Sequence, residues 1–516
     1  MKRSEQLRAL AETPFWDLVI IGGGATGLGA ALDAATRGYK TLLLERADFG
    51  KGTSSRSTKL IHGGVRYLEQ GNLKLVISAL QERWFFLKNI PSLSHRLPFI
   101  LPVYKRWKLW YYWIGLKLYE FLSGKRRLGE TILLSREEVI HRLPTINSQN
   151  LVGGVTYFDG QFDDSGVCIA LAATAAGHGA VLLNYVEVRA FEYSQGKICG
   201  LTAFDIHSNI TFHVRTKGII NATGVFADNV MAMDNPGHRP VITASQGTHI
   251  VADAAFFPGS HAMIIPKTSD GRVLFAVPWM GKALIGTTDN AIDRPHEAPE
   301  PTEQEIAFIL QNFNQYATRP IQRKDVQASF AGLRPLVRRQ GAASSANLLR
   351  DHAILRSPSG LVTITGGKWT TYRKMAEDAV ATAVKTAGLQ PQKSHTKHLI
   401  VARPLLPQDL LPAATTLLHP SYPFSEADIR HAVRNEMALT LEDVLARRIR
   451  LLYLDTAAAR SVAGRVAAIM REELEETGDW EKKALEQCYA QQGWTEIYHD
   501  KADDRNLDFY QVTPKP

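Results

Sequence analysis

The clearest hydrophobic pattern in the chain lies near its N-terminus. An apolar run at 18–21 is followed by three glycines with the spacing G-x-G-x-x-G, beginning at Gly22, and by an alanine-rich stretch of helical periodicity that ends near Gly38. A second apolar run, 41–44, ends in Glu45. A strand, a glycine turn, a helix and a second strand in this order predict a βαβ unit with parallel strands.

Each glycine of this turn has a mechanical role in such a unit. Gly22 permits the tight turn, Gly24 lets a pyrophosphate approach the backbone, and Gly27 lets helix and strand pack closely. The helix N-terminus presents free N–H groups to phosphates, and Glu45 can accept both ribose hydroxyls of an adenosine, which disfavours NADP. The motif alone also fits a turn without a ligand, but the whole pattern indicates a dinucleotide site.

Later segments predict the rest of the architecture. An apolar strand from 217 that ends in Thr223-Gly224 is expected to return to the nucleotide sheet, and residues 233–354 alternate strands and turns as an antiparallel sheet does. A strand at 361–365 leads through Gly366 and Gly367 into another helix, whose N-terminus again faces a ligand position.

One dinucleotide motif with widely separated supporting segments favours FAD over NAD. An NAD dehydrogenase usually completes its nucleotide fold contiguously, whereas FAD needs remote segments to hold its isoalloxazine ring. The Gly/Ser/Thr-rich loop after Glu45 is rich in hydroxyl and N–H donors, and such loops can line a cofactor. The predicted cofactor contacts are Gly22, Gly24, Gly27, Glu45, Ser54, Ser55, Lys59, His62, Gly63, Thr223, Gly224, Gly366, Gly367 and Thr370.

The predicted fold class is α/β (α+β), with a Rossmann-type FAD-binding domain, an antiparallel-sheet substrate domain and a C-terminal α-helical domain. A Pro- and Gln-rich linker at 389–424 separates the core from the helical patterns that follow. The expected boundaries are an oxidoreductase core at 14–392, with flavin-binding segments 14–90, 150–232 and 355–392 and substrate segments 91–149 and 233–354, and a C-terminal domain at 393–516.

Residues 104–122 form the most aromatic part of the chain. Trp107, Trp110, Tyr111, Ile114, Leu118, Phe121 and Leu122 share one helical face. Seven Lys or Arg residues and one Glu lie between Tyr104 and Arg127. Aromatic residues flanked by cations suit an interfacial membrane contact, whereas a core-facing helix with a solvated basic edge explains the pattern equally well. No nucleic-acid partner is expected, because no binding module accompanies the patch.

Composition narrows the class further. The chain has 516 residues, a formal charge of +9 and three cysteines that are far apart. This length predicts two or three domains, and the basic charge favours an anionic partner such as a phosphorylated substrate or lipid head groups. The cysteines suggest neither a disulfide framework nor a metal site, and a reducing compartment fits. Neither a signal peptide nor an apolar run of membrane-spanning length is visible.

Several motifs, in the same order over nearly the whole chain, resemble those of the FAD-dependent glycerol-3-phosphate dehydrogenases. They are Gly22-x-Gly24-x-x-Gly27, Ser57-Thr-Lys-Leu-Ile-His62-Gly-Gly-Val-Arg66-Tyr67-Leu, Gly247-Thr-His249, Pro278-Trp, Ile285-Gly-Thr-Thr-Asp289, Gly332-Leu-Arg334-Pro, Arg350-Asp-His and Gly366-Gly-Lys368-Trp-Thr-Thr-Tyr-Arg. The segment beginning Thr440-Leu-Glu-Asp also resembles that family's C-terminal domain. Phe330 departs from the usual pattern, in which an aromatic hydroxyl is frequent at this position.

The resemblance implies oxidation of sn-glycerol 3-phosphate at C2 to dihydroxyacetone phosphate, with hydride passing to flavin N5. It places Arg66, Arg334 and Arg350 at the substrate, where guanidinium groups can pair with a phosphate. His249 is the leading candidate for the base and His62 the second, although the surroundings of His62 suggest flavin contact.

Two further residues complete the set that the resemblance implies. Lys368 could stabilise the developing alkoxide or hold a water near N5, and Tyr67 could bond the substrate. The predicted catalytic residues are therefore His249, Arg334, Lys368 and His62, and the predicted substrate contacts are Arg66, Tyr67, His249, Arg334, Arg350 and Lys368.

The electron acceptor stays open between a membrane quinone and oxygen, because no second nucleotide motif suggests NADH. The basic aromatic segment favours a quinone-linked dehydrogenase that is cytoplasmic and peripheral on the cytoplasmic membrane, and a homodimer is the expected oligomer. The alternatives are an oxygen-dependent glycerol-3-phosphate oxidase, an amine or amino-acid oxidase of the same fold, and a non-catalytic flavin-binding protein. An amino-acid oxidase would need one arginine in a largely apolar pocket, so several basic candidates argue against it.

Overall fold

The structure is a computed structural model that describes residues 1–65, 68, 72–337 and 352–491. Its strands, in chain order, are β1 (Trp16–Ile21), β2 (Thr41–Leu44), β3 (Leu60–Ile61), β4 (Ser94–Val103), β5 (Ile132–Ser135), β6 (Gly153–Phe162), β7 (Val181–Leu183), β8 (Val186–Ser194), β9 (Lys197–Asp205) and β10 (Ile210–Asn221). The strands that follow are β11 (Ile242–Asp253), β12 (Ala262–Ile265), β13 (Leu274–Trp279), β14 (Lys282–Gly286), β15 (Asn290–Ile292), β16 (Val326–Val337), β17 (His352–Arg356), β18 (Leu361–Gly366), β19 (Leu417–His419) and β20 (Tyr422–Ser425).

The α-helices flank these strands or follow them. They are α1 (Arg3–Glu12), α2 (Ala25–Thr36), α3 (Leu73–Asn89), α4 (Arg106–Ser123), α5 (Arg136–Arg142), α6 (Asp164–Gly177), α7 (Ala227–Asp234), α8 (Glu303–Asn314), α9 (Tyr372–Thr386), α10 (Glu426–Glu436), α11 (Leu451–Leu454), α12 (Thr456–Leu474) and α13 (Trp480–Gln491).

The first sheet is the predicted nucleotide-binding sheet. Its strands follow the order β17-β18-β10-β1-β2-β7, and all neighbours are parallel except the β17–β18 pair. The strands are apolar because both faces are covered, with α2, α6 and α9 on one side and α1 with β8 and β9 on the other. The sheet therefore has the carboxyl ends of β1, β2, β10 and β18 at one edge, where dinucleotides bind in this architecture.

Strand β10 joins this sheet to a small antiparallel layer. Its first half, from Ile210 to Arg215, pairs with β9, while its second half, from Thr216 to Asn221, runs parallel to β1. The predicted return of the chain to the nucleotide sheet is therefore confirmed. Strand β10 is longer than the apolar run that predicted it. Its first half has polar side chains on the outer face and therefore does not read as an apolar run.

The second sheet is mainly antiparallel, as predicted for residues 233–354. Its strands follow the order β15-β11-β14-β13-β12-β4-β6-β3, with β16 also paired to β11 and β5 to β6. One face packs on α5 and α8, and the other packs on α3, α4 and the C-terminal helices. The long β11–β16 pairing places Ser245 opposite Arg334, Gly247 opposite Gly332 and His249 opposite Phe330, all on one side of the sheet.

The C-terminal part of the described chain is mostly helical, so the predicted fold class is confirmed. Helices α10 to α13 follow the β19–β20 hairpin. Thr440 and Asp443 form the predicted capping contacts, and a π-helical turn, Asp443–Arg448, follows them. The segment expected to be a linker packs on the core, since Val401 N–H donates to Asn89 O and Ser394 bonds Asp33.

Helix α4 carries the aromatic face out of the protein. The side chains of Trp107, Trp110, Tyr111, Ile114, Leu118 and Phe121 are 44 to 79% exposed. The alternative in which this face packs into the core is therefore wrong for these six residues, whereas Leu122 is half-buried. Leu116, Tyr119 and Ser123 on the opposite side are buried. Within the described residues, no helix is long and apolar enough to cross a membrane.

Candidate active site

A cavity of about 440 Å³ lies at the carboxyl edge of the first sheet. Its wall includes residues from the glycine turn, the end of β2, the Ser/Thr loop, the end of β10 and the turn after β18. The predicted cofactor contacts in this wall are Gly22, Gly24, Glu45, Ser54, Thr223, Gly224, Gly366 and Gly367, and Lys368 lies beside them. Segments far apart in sequence thus meet at one elongated site.

The glycine turn has the geometry that its spacing predicts. Gly22 has a φ of +108°, and a Cβ on it would lie 2.7 Å from the carbonyl oxygen of Ala222. A Cβ on Gly27 would overlap the carbonyl oxygen of Gly22. Gly24 borders the cavity at the start of α2, and a Cβ on it would lie 3.2 Å from Ser54 Oγ.

Ser54 lies at the same helix N-terminus, since its Oγ accepts a hydrogen bond of 2.9 Å from Ala25 N–H. Glu45 is bound to the glycine turn: one carboxylate oxygen accepts from Gly23 N–H at 2.6 Å and the other from Ala47 N–H at 2.8 Å. Burial raises the pKa of Glu45, and these two N–H groups oppose that shift. Each oxygen keeps a second lone pair for a ligand hydroxyl, so the carboxylate is held in place without being saturated.

The turn after β18 meets the His62 segment. Thr370 Oγ1 accepts from His62 N–H at 3.2 Å and donates to His62 O at 3.1 Å, while Trp369 Nε1 donates to Ser54 O at 2.9 Å. Gly366 and Gly367 both have positive φ, near +80° and +73°. The two glycines therefore border the cavity with main chain alone. The residues that follow them connect this turn to the His62 segment and to the Ser54 loop.

His62 is neutral in this environment. Burial lowers the pKa of His62 to about 3, with Lys368 and Arg83 adding to the shift. Gly63 N–H donates to the buried Tyr119 hydroxyl at 2.7 Å, and this hydroxyl donates to Asp159 at 2.8 Å. The His62-Gly63 segment is thus fixed by its main chain.

His249 lies in β11 with its ring buried. Its Nε2 is 2.8 Å from Thr58 Oγ1, its ring stacks on Phe330 with centroids 5.0 Å apart, and its Nδ1 has no hydrogen-bond partner among the described residues. Burial lowers the pKa of His249 well below its ordinary value, and the positive charges of Lys59 and Arg334 lower it further. The imidazole is therefore unprotonated near neutral pH, so one of its ring nitrogens carries a free lone pair.

Arg334 lies on the same face of the sheet as His249. Its guanidinium donates to Thr287 Oγ1 and Thr288 O at 3.0 Å each and to Asp289 at 3.1 Å. A Cβ on Gly247 would overlap this guanidinium, so the glycine leaves room for the arginine side chain to lie across β11, two residues from His249. The side chain keeps about a third of its surface exposed.

Comparisons with known proteins agree with this geometry. Residues 17–373 match the family model of FAD dependent oxidoreductases, and residues 365–483 match the C-terminal domain of alpha-glycerophosphate oxidase. The human mitochondrial glycerol-3-phosphate dehydrogenase is 39% identical over 92% of this chain and 72% of its own length. A mitochondrial glycerol-3-phosphate dehydrogenase of Arabidopsis thaliana is 38% identical over 94% of this chain and 86% of its own length.

The chain belongs to the FAD-dependent glycerol-3-phosphate dehydrogenase family. The crystal structure of the glycerol-3-phosphate dehydrogenase from Bacillus halodurans, complexed with FAD, superposes with a TM-score of 0.76 at 28% identity over 95% of this chain and 96% of that one. A glycine oxidase from Geobacillus kaustophilus, at 18% identity and a TM-score of 0.54 over 76% of this chain, shares the fold alone. The family membership makes the chain an FAD-dependent enzyme rather than an NAD enzyme or a non-catalytic binding protein.

Three of the residues that the family resemblance implies lie outside the described residues: Arg66, Tyr67 and Arg350. Six of the predicted cofactor contacts are described but do not line the cavity: Gly27, Ser55, Lys59, His62, Gly63 and Thr370. Lys59 Nζ donates to Asp164 at 2.6 Å and to Ser55 O at 2.8 Å, and the ammonium is fully buried. Burial lowers the pKa of Lys59 to about 7, against the opposing effect of Asp164.

The sequence did not single out three residues that the structure brings to this site. Thr58 was part of a quoted motif, but nothing in the pattern connected it with His249, 191 positions away. Asp164 and Arg450 meet the Ser/Thr loop from α6 and from the C-terminal part of the chain. A buried carboxylate or guanidinium carries no periodic signal, so only the tertiary contacts reveal these residues.

Proposed function

We propose that this family member oxidises sn-glycerol 3-phosphate at C2 to dihydroxyacetone phosphate. The observation that supports this best is the pairing of β11 and β16, which sets an unprotonated His249 and the partly exposed guanidinium of Arg334 on one face of the sheet. A base and a cation on one face suit a substrate that carries a phosphate on the carbon next to the one whose hydroxyl reacts.

The cavity fits FAD, and its residues divide between the two halves of the cofactor. Gly22, Gly24 and the N-terminus of α2 would hold the pyrophosphate, with Glu45 on the adenosine ribose. Thr223, Gly224, Ser54, His62, Gly63, Gly366, Gly367 and Thr370 would border the remainder, while Gly27, Ser55 and Lys59 would shape the loops from behind. When bound, FAD supplies the hydride acceptor at N5.

The chain's own residues would then handle the substrate. Arg334, together with Arg66 and Arg350, would bind the phosphate, and Tyr67 would bond the substrate. His249 would take the proton of the C2 hydroxyl as the hydride leaves C2, and Lys368 would stabilise the negative charge that develops on that oxygen. His62, which is neutral and fixed by its main chain, would contact the flavin rather than act as the base.

An anaerobic absorbance spectrum tests this function. The FAD-loaded protein is mixed with sn-glycerol 3-phosphate, and loss of the flavin band within seconds is the expected result. A flavin that is bleached by an amino acid but not by glycerol 3-phosphate would contradict the proposal and favour an amino-acid oxidase. His249→Gln should slow the bleaching by about two to four powers of ten while retaining FAD.

We also propose that the exposed face of α4 binds the surface of the cytoplasmic membrane, where a quinone accepts the electrons. This face carries six exposed large apolar residues, and Lys105, Arg106, Lys125, Arg126 and Arg127 flank it. Its aromatic rings suit the head-group region, and the cations suit anionic lipid. The buried side of α4 holds the His62-Gly63 segment through Tyr119, so the docked surface would lie close to the flavin.

Sedimentation with vesicles tests the membrane contact. The protein should sediment with vesicles that contain phosphatidylglycerol at low salt and not with purely zwitterionic ones, and Trp107→Ser/Phe121→Ser should weaken the binding. Tyr193→Ser, which alters an exposed aromatic residue on β8 instead of α4, is the matched control. Binding that is unaffected by the α4 substitutions would contradict this surface.

The acceptor and the oligomer need separate measurements. The reduced enzyme should be reoxidised faster by a short-chain ubiquinone than by oxygen, and faster reoxidation by oxygen would support an oxidase instead. A homodimer stays a prediction, which light scattering of the detergent-solubilised protein would test.

A further inference from the structure

Basic residues of the C-terminal part of the chain enter the oxidoreductase core next to its Ser/Thr loop. Arg447 and Arg448 both donate to Asp48, and Arg450 donates to Asp164 at 2.9 Å. All of these side chains are buried, so each charge is held by its partner rather than by water. The two parts of the chain are therefore fixed to each other at the loop that follows Glu45.

Arg450 is the member of this set whose partners, Ser55 and Asp164, adjoin or contact the segment that reaches His249. It has a left-handed φ of 63°, and its Nη2 bridges Asp164 Oδ1 and Ser55 O, the latter at 3.1 Å. Its Nη1 donates to Ala446 O at 3.0 Å. A guanidinium that reaches three acceptors at once fixes their relative positions, which an ammonium on a flexible stem does less well.

The other oxygen of Asp164 fixes the next turn of the loop. Asp164 Oδ2 accepts from Ser57 N–H at 3.1 Å, from Ser57 Oγ at 2.7 Å and from Lys59 Nζ at 2.6 Å. Lys59 has a positive φ of 62°, so the backbone turns sharply here. Thr58 lies between these two anchored residues, and its hydroxyl is the one that meets His249.

A second contact is made with the face of the His249 ring. Tyr453, in α11, packs against Phe330 with ring centroids 5.0 Å apart, and Phe330 stacks on the imidazole. The C-terminal part of the chain thus supports both contacts that fix the orientation of the His249 ring: the hydrogen bond with Thr58 and the stacking on Phe330.

We infer that Thr58, Asp164 and Arg450 are positioning residues for His249, and that the C-terminal part of the chain exists in part to hold the base in place. This inference rests on the proposed function, in which His249 accepts the substrate proton. Thr58 is the one hydrogen-bond partner of the imidazole among the described residues. Without it, the ring would lose the polar contact that fixes its orientation.

A double-mutant cycle tests the chain of contacts. Thr58→Val and Arg450→Met should each slow flavin reduction at saturating glycerol 3-phosphate about ten- to a hundredfold, because each removes a contact that holds the base. The double variant should be no slower than the slower single variant, since both act on one group. If the rate reductions of the two single variants multiply in the double variant, the inference is overturned. Thr58→Ser, which keeps the hydroxyl, should restore most of the rate.

Matched controls separate positioning from general damage. Arg465→Met removes an ion pair between Arg465 on α12 and Glu426 on α10. Thr174→Val removes a hydroxyl that donates to Ala170 O within α6. Both variants should keep the wild-type rate. If Arg450→Met fails to fold, Tyr453→Leu replaces it in the cycle and should also slow the reaction without adding to Thr58→Val.

An independent readout uses the ¹⁵N signals of the histidine rings, assigned with His249→Gln. Thr58→Val and Arg450→Met should change the ratio of the two neutral tautomers of His249, and Arg465→Met should leave it unchanged. An Arg450→Met spectrum with unaltered His249 signals would overturn the inference. If wild-type flavin is not reduced by glycerol 3-phosphate at all, the proposed function fails, and the ring signals still decide whether Arg450 positions His249.

Discussion

The main chain of His62 and the hydroxyl of Thr370 exchange two hydrogen bonds across 308 residues of sequence. This contact joins the Ser/Thr loop segment to the turn after β18, and both border the site proposed for the isoalloxazine ring. Each segment alone is a short turn with little apolar surface of its own. We therefore expect these two hydrogen bonds to hold the proposed isoalloxazine end of the cofactor site in shape before FAD binds.

Thr370→Val should weaken FAD binding because it leaves the N–H and C=O of His62 without this partner. An unpaired buried polar group costs about 1–3 kcal/mol, so the Kd for FAD should rise roughly 5- to 150-fold. Titration of the apoprotein with FAD, followed by flavin fluorescence, measures the change. Thr370→Ser keeps the hydroxyl and is the matched control. An unchanged Kd in the valine variant would show that the contact does not shape the cofactor site.

Arg334→Met should raise the KM for glycerol 3-phosphate by about ten- to a hundredfold while FAD stays bound. A charge-assisted hydrogen bond is worth about 1.5–3 kcal/mol, and the guanidinium does not line the cofactor cavity. Steady-state kinetics and the bound flavin content measure the two properties. Arg323→Met, which breaks an exposed ion pair with Glu303, is the control and should keep the wild-type KM. Loss of FAD together with substrate affinity would contradict this assignment.

The neutral state of His62 predicts a pH dependence of stability. The pKa of His62 is about 3 in the folded protein and near 6.5 in the unfolded chain. Between these values the unfolded chain binds more protons, so the contribution of His62 is fully present above pH 6.5 and is lost as the pH falls toward 3. From pH 7 to pH 4.5 the wild type should lose about 2 kcal/mol more than His62→Gln. Urea unfolding at both pH values gives the difference. Equal losses in the two proteins would contradict the depressed pKa.

Glu305→Gln should destabilise the sheet that carries His249. The buried carboxylate of Glu305 accepts hydrogen bonds from Thr248, Gln246, Thr288, Asn290 and Thr302. In glutamine, an NH2 group replaces one of the two accepting oxygens and faces the same donors, so buried donors lose their acceptor. We expect this to lower the free energy of unfolding by about 2–4 kcal/mol. Glu303→Gln, on the exposed side of the same helical turn, should change it by less than about 1 kcal/mol. Urea unfolding of both variants measures these differences, and similar losses in the two would contradict the network.

Much of the fold followed from local patterns. The run 18–21, the glycine spacing and the run 41–44 predicted the βαβ unit that the structure contains as β1, α2 and β2, because strand and helix periodicities differ and glycines mark the turn between them. Helix α4, Arg106–Ser123, begins and ends within two residues of the aromatic stretch 104–122 that predicted a helical face. The orientation of the aromatic face of α4 could not be decided in this way, since periodicity defines a face but not what covers it.

The sequence by itself determined the dinucleotide turn, the alternation of strands and helices, and the identities of the residues that could do the chemistry, because each depends on residues close together in the chain. Tertiary structure alone decided that Thr58 meets His249, that Lys59 is paired with Asp164 instead of lining the cavity, and that Arg450 braces the loop between them. These contacts join segments separated by 105 to 286 residues and leave no trace in periodicity. Their energies come from desolvation and charge pairing, and these exist only once the core has closed around them.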